Sequence, residues 1–178
     1  MVSGHVFIAT SLDGYIARTD GSIDWLMRQQ VEGEDHGYDA FIADMDVILM
    51  GRQSYETVLT FDSWPYSKPV VVLSSTLRSE ERPEALVDKV QISALGPRDI
   101  MRDLTEKGIR KAYIDGGRII QSFLREGLIQ TMTVTRIPVL IGKGRPLFGD
   151  LARDIDLDHL ETRHFPSGLV QSTYRIRT

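Results

Sequence analysis

The sequence contains no cysteine and no long apolar run. The absence of cysteine excludes a disulfide scaffold and thiolate catalysis, and it removes the commonest ligand of structural zinc sites. No apolar run approaches the roughly 18 residues of a membrane span, so we expect no membrane partner. The histidines at positions 5, 36, 159 and 164 show no ligand spacing with carboxylates on one helix face. We therefore predict that the protein binds no metal.

The charge balance is mildly acidic, with 21 Lys and Arg against 25 Asp and Glu and a net charge of -4. Because there is no basic run either, we expect no nucleic-acid partner. The hydrophobic share of 42% and the charged share of 26% exclude a disordered chain. A length of 178 residues predicts a single domain, residues 1–178. Residues 1–5 lack a basic leader region, so we expect a cytoplasmic protein.

Short apolar runs alternate with segments of helical period in the first two thirds of the chain. Val47–Met50 and Val70–Leu73 are apolar throughout, as strands buried on both faces of a parallel sheet are. Residues 38–45 place apolar side chains at i, i+3, i+4 and i+7, which is one face of a helix. This order predicts a mainly parallel sheet with helices on its faces.

The pattern changes in the last third of the chain. Thr131–Ile141, Leu157–Phe165 and Leu169–Arg177 are predicted strands with no helix between the last two. Residues 166–168, Pro-Ser-Gly, indicate a tight turn. We therefore predict an α/β fold whose mostly parallel sheet ends in an antiparallel C-terminal hairpin. Residues 11–37 show no clear period, and a stretch of this length is typical of a lid or binding loop.

Small residues follow the predicted strands. Gly51 precedes Arg52 and Ser54 at the start of a helical segment, and Gly116 and Gly117 have the same position after another strand. Glycine lets the backbone approach a phosphate, and a helix start offers free N–H groups. A plain turn, with Arg52 in a surface ion pair, is the alternative for either segment alone. Together they predict a phosphate-rich cofactor, although neither a G-x-G-x-x-G nor a P-loop motif is present.

Five motifs in order resemble the dihydrofolate reductase superfamily. Residues 49–56, LMGRQSYE, resemble its M-G-R-x-[ST]-[WY]-E segment, residues 72–75 resemble the next nucleotide-contacting strand end, and residues 114–119 resemble its Gly-Gly segment, whose Gly–Gly peptide is cis. Residues 9–17, ATSLDGYIA, and residues 137–148, IPVLIGKGRPLF, resemble the reductase domain of riboflavin biosynthesis more closely. The resemblance therefore favours a stand-alone relative of that reductase domain.

This resemblance implies a three-layer α/β/α fold and an NADPH-dependent reduction of a small heterocyclic substrate. It implies cofactor contacts from residues at the strand ends and helix starts: Ala9, Thr10, Ile16, Gly51, Arg52, Gln53, Ser54, Ser74, Ser75, Thr76, Gly116, Gly117, Arg118 and Ile119. It implies that Phe41, Ile114 and Thr135 border the substrate. It also implies a homodimer that uses the C-terminal hairpin and residues 142–148.

The reduction also needs a proton, and the sequence identifies its source less clearly than it identifies the cofactor site. Asp13 follows the first strand and is our candidate catalytic residue, with a structural role in an Asp-Gly turn as the alternative. Asp35, Asp39 or a water are other possible proton sources, although capping of a helix start also explains the two carboxylates. The Pro-Trp segment of dihydrofolate reductases is missing, since Trp25 follows an aspartate. We expect Trp25 and Trp64 to lie in loops.

Three other functions remain open at this stage. Pterin reduction of the dihydrofolate reductase type ranks below a reaction like that of 5-amino-6-(5-phosphoribosylamino)uracil reductase. The chain lacks a carboxylate one helical turn before Phe41, where a pterin would need it. A non-catalytic NADPH- or nucleotide-binding module is a further alternative. A parallel-sheet hydrolase has no G-x-S-x-G motif to support it.

Overall fold

An eight-stranded sheet forms the centre of the protein. The computed structural model describes residues 1–29 and 33–177. Within these ranges the strands are β1 (Ser3–Ser11), β2 (Tyr15–Ala17), β3 (Val47–Gly51), β4 (Val70–Leu73), β5 (Val90–Ser93), β6 (Lys111–Asp115), β7 (Ile129–Ile137), β8 (Arg145–Pro146), β9 (Leu157–His164) and β10 (Val170–Ile176). The sheet order is β5-β4-β3-β6-β1-β7-β10-β9, while β2 and β8 pair separately.

The pairing of the strands agrees with the prediction from the sequence. Strands β1 and β3–β7 run parallel, and β10 is antiparallel to both β7 and β9. Val47–Met50 of β3 are all almost fully buried, because helices cover both faces of the sheet there. Strand β7 ends at Ile137, short of the predicted Ile141, since Pro138 has no N–H to continue the ladder.

Helices cover the two faces of the sheet and form a three-layer α/β/α arrangement. They are α1 (Asp24–Met27), α2 (Tyr38–Ala43), α3 (Arg52–Val58), α4 (Pro97–Glu106) and α5 (Gly117–Arg125), with two short 3-10 turns between β4 and β5. Apolar side chains of α4 and α5 pack on one face, and those of α2 and α3 pack on the other. No helix in the described ranges is long and apolar enough to cross a membrane.

The region predicted as a long loop, residues 11–37, contains ordered elements. Strand β2 pairs with β8, and the four-residue helix α1 buries Trp25 to 1% exposure. The prediction that Trp25 lies in a loop was therefore wrong, because one helical turn is too short to give a periodic signal. Trp64 does lie in a loop, where it packs on Tyr55 and Tyr66. Residues 30–32 lie outside the described ranges.

Gly144 allows the β2–β8 pair to approach closely. A Cβ at this position would lie 2.3 Å from the carbonyl oxygen of Ala17 and 3.1 Å from the Cβ of Tyr15. We expect Gly144→Ala to lower the free energy of unfolding by about 1–3 kcal/mol, as overpacking against backbone does. Urea denaturation measures the change. Gly96→Ala is the control, because its φ is -72° and a Cβ there meets nothing within 4 Å; equal losses for the two variants would contradict the prediction.

Candidate functional site

A cavity of about 870 Å³ opens at the carboxyl ends of the parallel strands. It is bordered by residues that end β1, β3, β4, β6 and β7 and by the starts of α3 and α5. Ligand sites of open parallel sheets lie at this edge, and the volume falls within the range of small-molecule and cofactor sites. Across the part of the chain that the structure describes, no group of three His, Asp or Glu side chains is arranged to hold a metal ion.

Arg52 connects two of the strand ends that border the cavity. It lies at the start of α3, where its Nε donates to Glu56 at 2.6 Å and its NH1 donates to the hydroxyl of Thr76 at 3.1 Å. Ser74 closes the turn after β4 by accepting from the backbone N–H of Thr76 at 3.2 Å and of Leu77 at 3.0 Å. A guanidinium and neighbouring hydroxyls at an exposed helix start suit a phosphate monoester.

The Gly116–Gly117 pair gives the cavity a backbone floor. Gly116 has a φ of +91°, and a Cβ on it would meet the Ser54 hydroxyl at 2.5 Å. A Cβ on Gly117 would meet the Pro146 carbonyl oxygen at 3.0 Å and the end of Ile16 at 2.9 Å. Gly116 is required by its positive φ as well as by this contact, while a Cβ at Gly117 would be tight against the backbone. The described residues contain no cis peptide bond, so the Gly116–Gly117 peptide is trans, and the cis peptide that the resemblance implied is absent.

A carboxyl group, that of Asp115, lies deep in the cavity at the end of β6. The Tyr113 hydroxyl donates to its Oδ1 at 3.2 Å, and the Ser54 hydroxyl and the Gly116 backbone N–H also bond to it. Burial raises the pKa of Asp115, although these hydrogen bonds act in the opposite direction. A perturbed carboxyl group in a cleft is a candidate for proton transfer.

Aromatic side chains surround Asp115 on the α2 side of the sheet. The rings of Tyr38 and Tyr113 lie 6.5 Å apart, and the ring of Phe7 lies 5.8 Å from that of Tyr38. Burial and the charge of Asp115 raise the pKa of Tyr38 to about 12, and the same two causes raise the pKa of Tyr66. Tyr38, Tyr66 and Asp115 all line the same cavity, so these groups face a common space.

The far wall of the cavity depends on the C-terminal hairpin. Gln171 of β10 is 5% exposed, and its amide donates to the Thr135 hydroxyl and to the His36 carbonyl oxygen, each at 3.0 Å. The carboxylate of Glu34 bonds to the His36 Nε2 at 2.8 Å and accepts from the Ser167 backbone N–H at 3.1 Å and from its hydroxyl. The loop before α2 is thus attached to the hairpin, and His36 borders the cavity.

The structure brings together almost all of the predicted cofactor residues. The cavity lining includes Ala9, Ile16, Gly51, Arg52, Gln53, Ser54, Ser74, Ser75, Thr76, Gly116, Gly117, Arg118 and Ile119. The predicted substrate residue Thr135 also lines it. The predicted cofactor residue Thr10 does not line the cavity, because it is buried in β1 at 4% exposure.

Two predicted substrate residues lie away from the cavity surface. Ile114 is fully buried in the core beneath α4 and α5, because alternation along β6 directs Tyr113 and Asp115 to the other face. Phe41 packs behind the lining, with its ring 5.0 Å from that of Phe7 and 5.1 Å from that of Tyr113. It supports the aromatic wall without forming its surface.

Asp13, the predicted catalytic residue, does not line the cavity either. Its carboxylate accepts from the backbone N–H of Gly142 at 2.7 Å and of Ile141 at 3.3 Å. Bonds from the Ser11 side chain and from these backbone N–H groups lower the pKa of Asp13. These contacts tether two loops, which corresponds to the structural alternative, and the catalytic role stays a prediction without a contact to support it.

The sequence interpretation missed the residues that surround Asp115. The sequence prediction does not include Asp115, although alternation along β6 places it on the same face as Tyr113. Tyr66 lies in a loop that carries no periodic signal. The other carboxylates considered at the α2 start have structural positions: Asp35 accepts from the Gly37 backbone N–H at 2.7 Å, and Asp39 lies exposed in the first turn.

Comparisons with known proteins agree with this architecture. The family model for the RibD C-terminal domain matches residues 4–171. A crystal structure of a protein from Shewanella sp. PV-4, assigned provisionally to riboflavin biosynthesis by its description, superposes with a TM-score of 0.93 at 43% identity. That alignment covers 99% of this chain and 100% of the other.

Two further relatives extend the comparison. The uncharacterized protein YwjB of Bacillus subtilis is 34% identical over 164 residues, which is 90% of each chain. The bifunctional diaminohydroxyphosphoribosylaminopyrimidine deaminase and 5-amino-6-(5-phosphoribosylamino)uracil reductase of Thermotoga maritima has a TM-score of 0.76 at 15% identity. The alignment covers 99% of this chain but only 57% of that protein. At 15% identity the likeness concerns the fold alone. The chain belongs to the RibD C-terminal domain family, a reductase domain with the dihydrofolate reductase-like fold.

Proposed function

We propose that the protein is an NADPH-dependent reductase of a small heterocyclic substrate. The observation that carries the proposal is the position of Asp115, a deep carboxyl group that lies where an aromatic wall meets two helix starts that each follow a glycine. The glycine-rich edge suits the phosphates of a dinucleotide, and the carboxyl group suits proton transfer next to it. Membership of a reductase domain family supports the same activity.

The cofactor half of the cavity is formed by residues 51–54, 74–76 and 116–119. The helix start of α5 would hold the pyrophosphate, because its backbone is open on the cavity side at Gly116 and Gly117. Arg52 and Thr76 would hold a 2′-phosphate, which distinguishes NADPH from NADH. When bound, the nicotinamide supplies a hydride, which is the chemistry that the protein side chains themselves lack.

Asp115 is positioned to hold and deliver the proton of the reduction. Its raised pKa keeps more of the carboxyl group protonated at a given pH than in an exposed aspartate. The Tyr113 hydroxyl is fixed between Asp115 and the Phe7 carbonyl oxygen, to which it donates at 3.0 Å. The bond from Tyr113 holds one oxygen of the Asp115 carboxyl group, and that group borders the same cavity as Tyr38 and Tyr66.

Fluorescence titration with NADPH tests the cofactor assignment directly. We expect saturable quenching, and a substrate screen that follows the nicotinamide absorbance band should then reveal turnover. The absence of quenching at near-millimolar NADPH would overturn the proposal. Tight NADPH binding without turnover of any pterin, pyrimidine or related heterocycle would instead favour the non-catalytic binding module.

We also propose that the C-terminal hairpin faces a second copy of the chain. Large apolar side chains are exposed along it, with Leu157 at 40%, Leu160 at 48% and Val170 at 39% of their surface accessible. Phe148, in the second segment predicted to form the dimer surface, is 51% exposed. Large apolar side chains exposed along two neighbouring strands favour an interaction surface. Sedimentation analysis of the wild type against Leu160→Glu tests the homodimer, and a monomeric wild type would contradict it.

A further inference from the structure

Arg145 lies between two adjoining cavities. The first is the cavity of about 870 Å³ at the carboxyl ends of the strands, and the second is a smaller one of about 480 Å³. Gly21, Gln53 and Arg145 are among the residues that border both cavities. The function proposed above gives no role to the guanidinium group of Arg145.

Backbone contacts fix the position of this guanidinium group. Its NH2 donates to the Thr19 carbonyl oxygen at 3.2 Å, and a Cβ on Gly21 would lie 3.0 Å from its NH1 and 3.3 Å from its Cζ. Gly21 has a φ of +94° and lies in a turn that its N–H closes by donating to the Arg18 carbonyl oxygen at 3.0 Å. Because Gly21 has no side chain, the guanidinium group of Arg145 can rest on this turn.

The charge of Arg145 is not balanced by an ion pair within residues 1–29 and 33–177. None of the ion pairs found there includes Arg145, although its side chain is partly buried. In the same ranges, the bond to Thr19 is the only hydrogen bond that its N–H groups donate. A partly buried guanidinium group with free donors favours an anionic partner, because burial of an unpaired charge is costly.

The carboxylates closest to this position belong to the second cavity. Asp20, Asp24 and Glu56 border that cavity but not the first one. Asp24 and Glu56 are each paired with another arginine, at 2.5 and 2.6 Å, and Asp20 accepts from a backbone N–H of its own turn at 2.9 Å. Three negative charges disfavour an anion in the second cavity.

The first cavity is the more favourable side for an anion. Asp115 is the only Asp or Glu among the described residues that border it, whereas three arginines do: Arg52, Arg118 and Arg145. Strand β8, which carries Arg145, also lies against the start of α5, since a Cβ on Gly117 would be 3.0 Å from the Pro146 carbonyl oxygen. Arg145 therefore begins next to the helix start that would hold the pyrophosphate.

We propose that Arg145 is an anion-binding residue of the first cavity and holds a phosphate group of the bound ligand. This inference rests on the proposed function, since the ligand is either the cofactor, through its pyrophosphate, or a phosphorylated substrate. The role is separate from that of Arg52, which would hold the 2′-phosphate that only NADPH carries. A guanidinium group suits either source, because its planar set of N–H donors matches the oxygens of a phosphate.

Arg145→Met tests the cofactor as the source of the phosphate. Methionine keeps much of the side-chain length but removes the charge and the donors. We expect fluorescence titrations to show at least fivefold weaker binding of both NADPH and NADH, because the two cofactors share the pyrophosphate. Lys143→Met is the matched control, since Lys143 is an exposed cation of the same segment and borders neither cavity. Its affinities should stay within about twofold of the wild type.

Inorganic phosphate tests the substrate as the other source. Titrations followed by phosphorus NMR are made with the NADPH-saturated protein, in which the phosphate positions of the cofactor are filled. If Arg145→Met leaves both cofactors unchanged but weakens inorganic phosphate at least fivefold, Arg145 holds a substrate phosphate. Unchanged affinities for NADPH, NADH and inorganic phosphate, or equal losses in Lys143→Met, would overturn the inference.

A second variant covers the case in which Arg145→Met does not fold, which its thermal unfolding would show. Arg145→Lys keeps the charge but loses the planar set of donors, so it should bind the affected ligand at least twofold more weakly than the wild type. Wild-type affinity of Arg145→Lys for all three ligands would then contradict the inference.

The same probe separates this inference from the proposed function. If the wild type binds neither cofactor, the proposed function fails, and inorganic phosphate is titrated into the cofactor-free protein. A loss of at least fivefold in Arg145→Met then supports anion binding by Arg145, and equal affinities for the variant and the wild type refute it.

Discussion

Asp115→Asn should lower kcat by about 10²- to 10⁴-fold, the range expected when a positioned general acid is removed. The amide can accept the bonds that Tyr113 and Ser54 donate, so the site keeps its shape while losing the transferable proton. The Kd for NADPH should change little. Single-turnover measurement of the hydride step, once a substrate is found, gives the rate directly.

The pH dependence gives this prediction a second readout. Burial raises the pKa of Asp115, so the protonated, active form persists above the pH at which an exposed aspartate ionises, and the wild-type rate should fall as pH rises through the raised value. The rate of the Asn variant should not show this ionisation. The folded state of the wild type also carries the cost of the ionised carboxylate at neutral pH. Asp115→Asn should therefore have the higher Tm at pH 7, with the difference vanishing below the ordinary pKa of aspartate.

Asp13→Asn is the control for the loss of a carboxylate. Its side chain tethers Ile141 and Gly142 outside the cavity, and an amide oxygen can still accept one of those bonds. We expect a change in kcat of less than about threefold, far below the effect of removing a general acid. A larger loss for Asp13→Asn than for Asp115→Asn would reverse the two assignments and restore the prediction made from the sequence.

Arg52→Ala should weaken NADPH by about 1–3 kcal/mol, or about 5- to 150-fold in Kd, and leave NADH almost unaffected. In the structure Arg52 already contacts Thr76 and is held by an exposed ion pair with Glu56. Exposed pairs of this kind contribute little to stability, so a 2′-phosphate can replace the carboxylate at little cost. Fluorescence titrations with the two cofactors measure the difference.

Arg102→Ala is the matched control for loss of a guanidinium. Arg102 lies on α4, pairs with Asp99 and is 66% exposed, and it does not border the cavity. We expect the affinities for both cofactors to stay within about twofold of the wild type, as surface substitutions usually do. Equal losses for NADPH and NADH in Arg52→Ala would remove its 2′-phosphate role.

The cofactor half was accessible from the sequence because its signals are local. Gly51 and Gly116 each end a buried β run and begin a helix, and the parallel fold brings the carboxyl ends of such strands to one edge. Arg52 and Thr76 are 24 residues apart, yet both could be placed from the strands that precede them. Backbone conformation and helix-start N–H groups, which the local sequence specifies, form most of this edge.

The aromatic side of the cavity around Asp115 was harder to predict from the sequence, because it depends on which side chains meet across the fold. Tyr66 comes from a loop, Tyr38 from a short helix and Asp115 from a strand end, and no spacing in the chain connects them. The resemblance implied that Ile114 borders the substrate, but Ile114 lies in the core. The two-residue period of β6 instead directs its neighbours Tyr113 and Asp115 to the cavity. The strand period was the better guide here.

The attachment of Gln171 to Thr135 and His36 has a consequence for the order in which the protein matures during synthesis. The edge proposed to hold the cofactor, residues 51–54, 74–76 and 116–119, leaves the ribosome well before β10 and can assemble first. The wall that Gln171 supports is completed only by the last strand of the hairpin. The proposed cofactor site would therefore assemble before the wall that Gln171 supports, and premature termination within β10 would leave that wall incomplete.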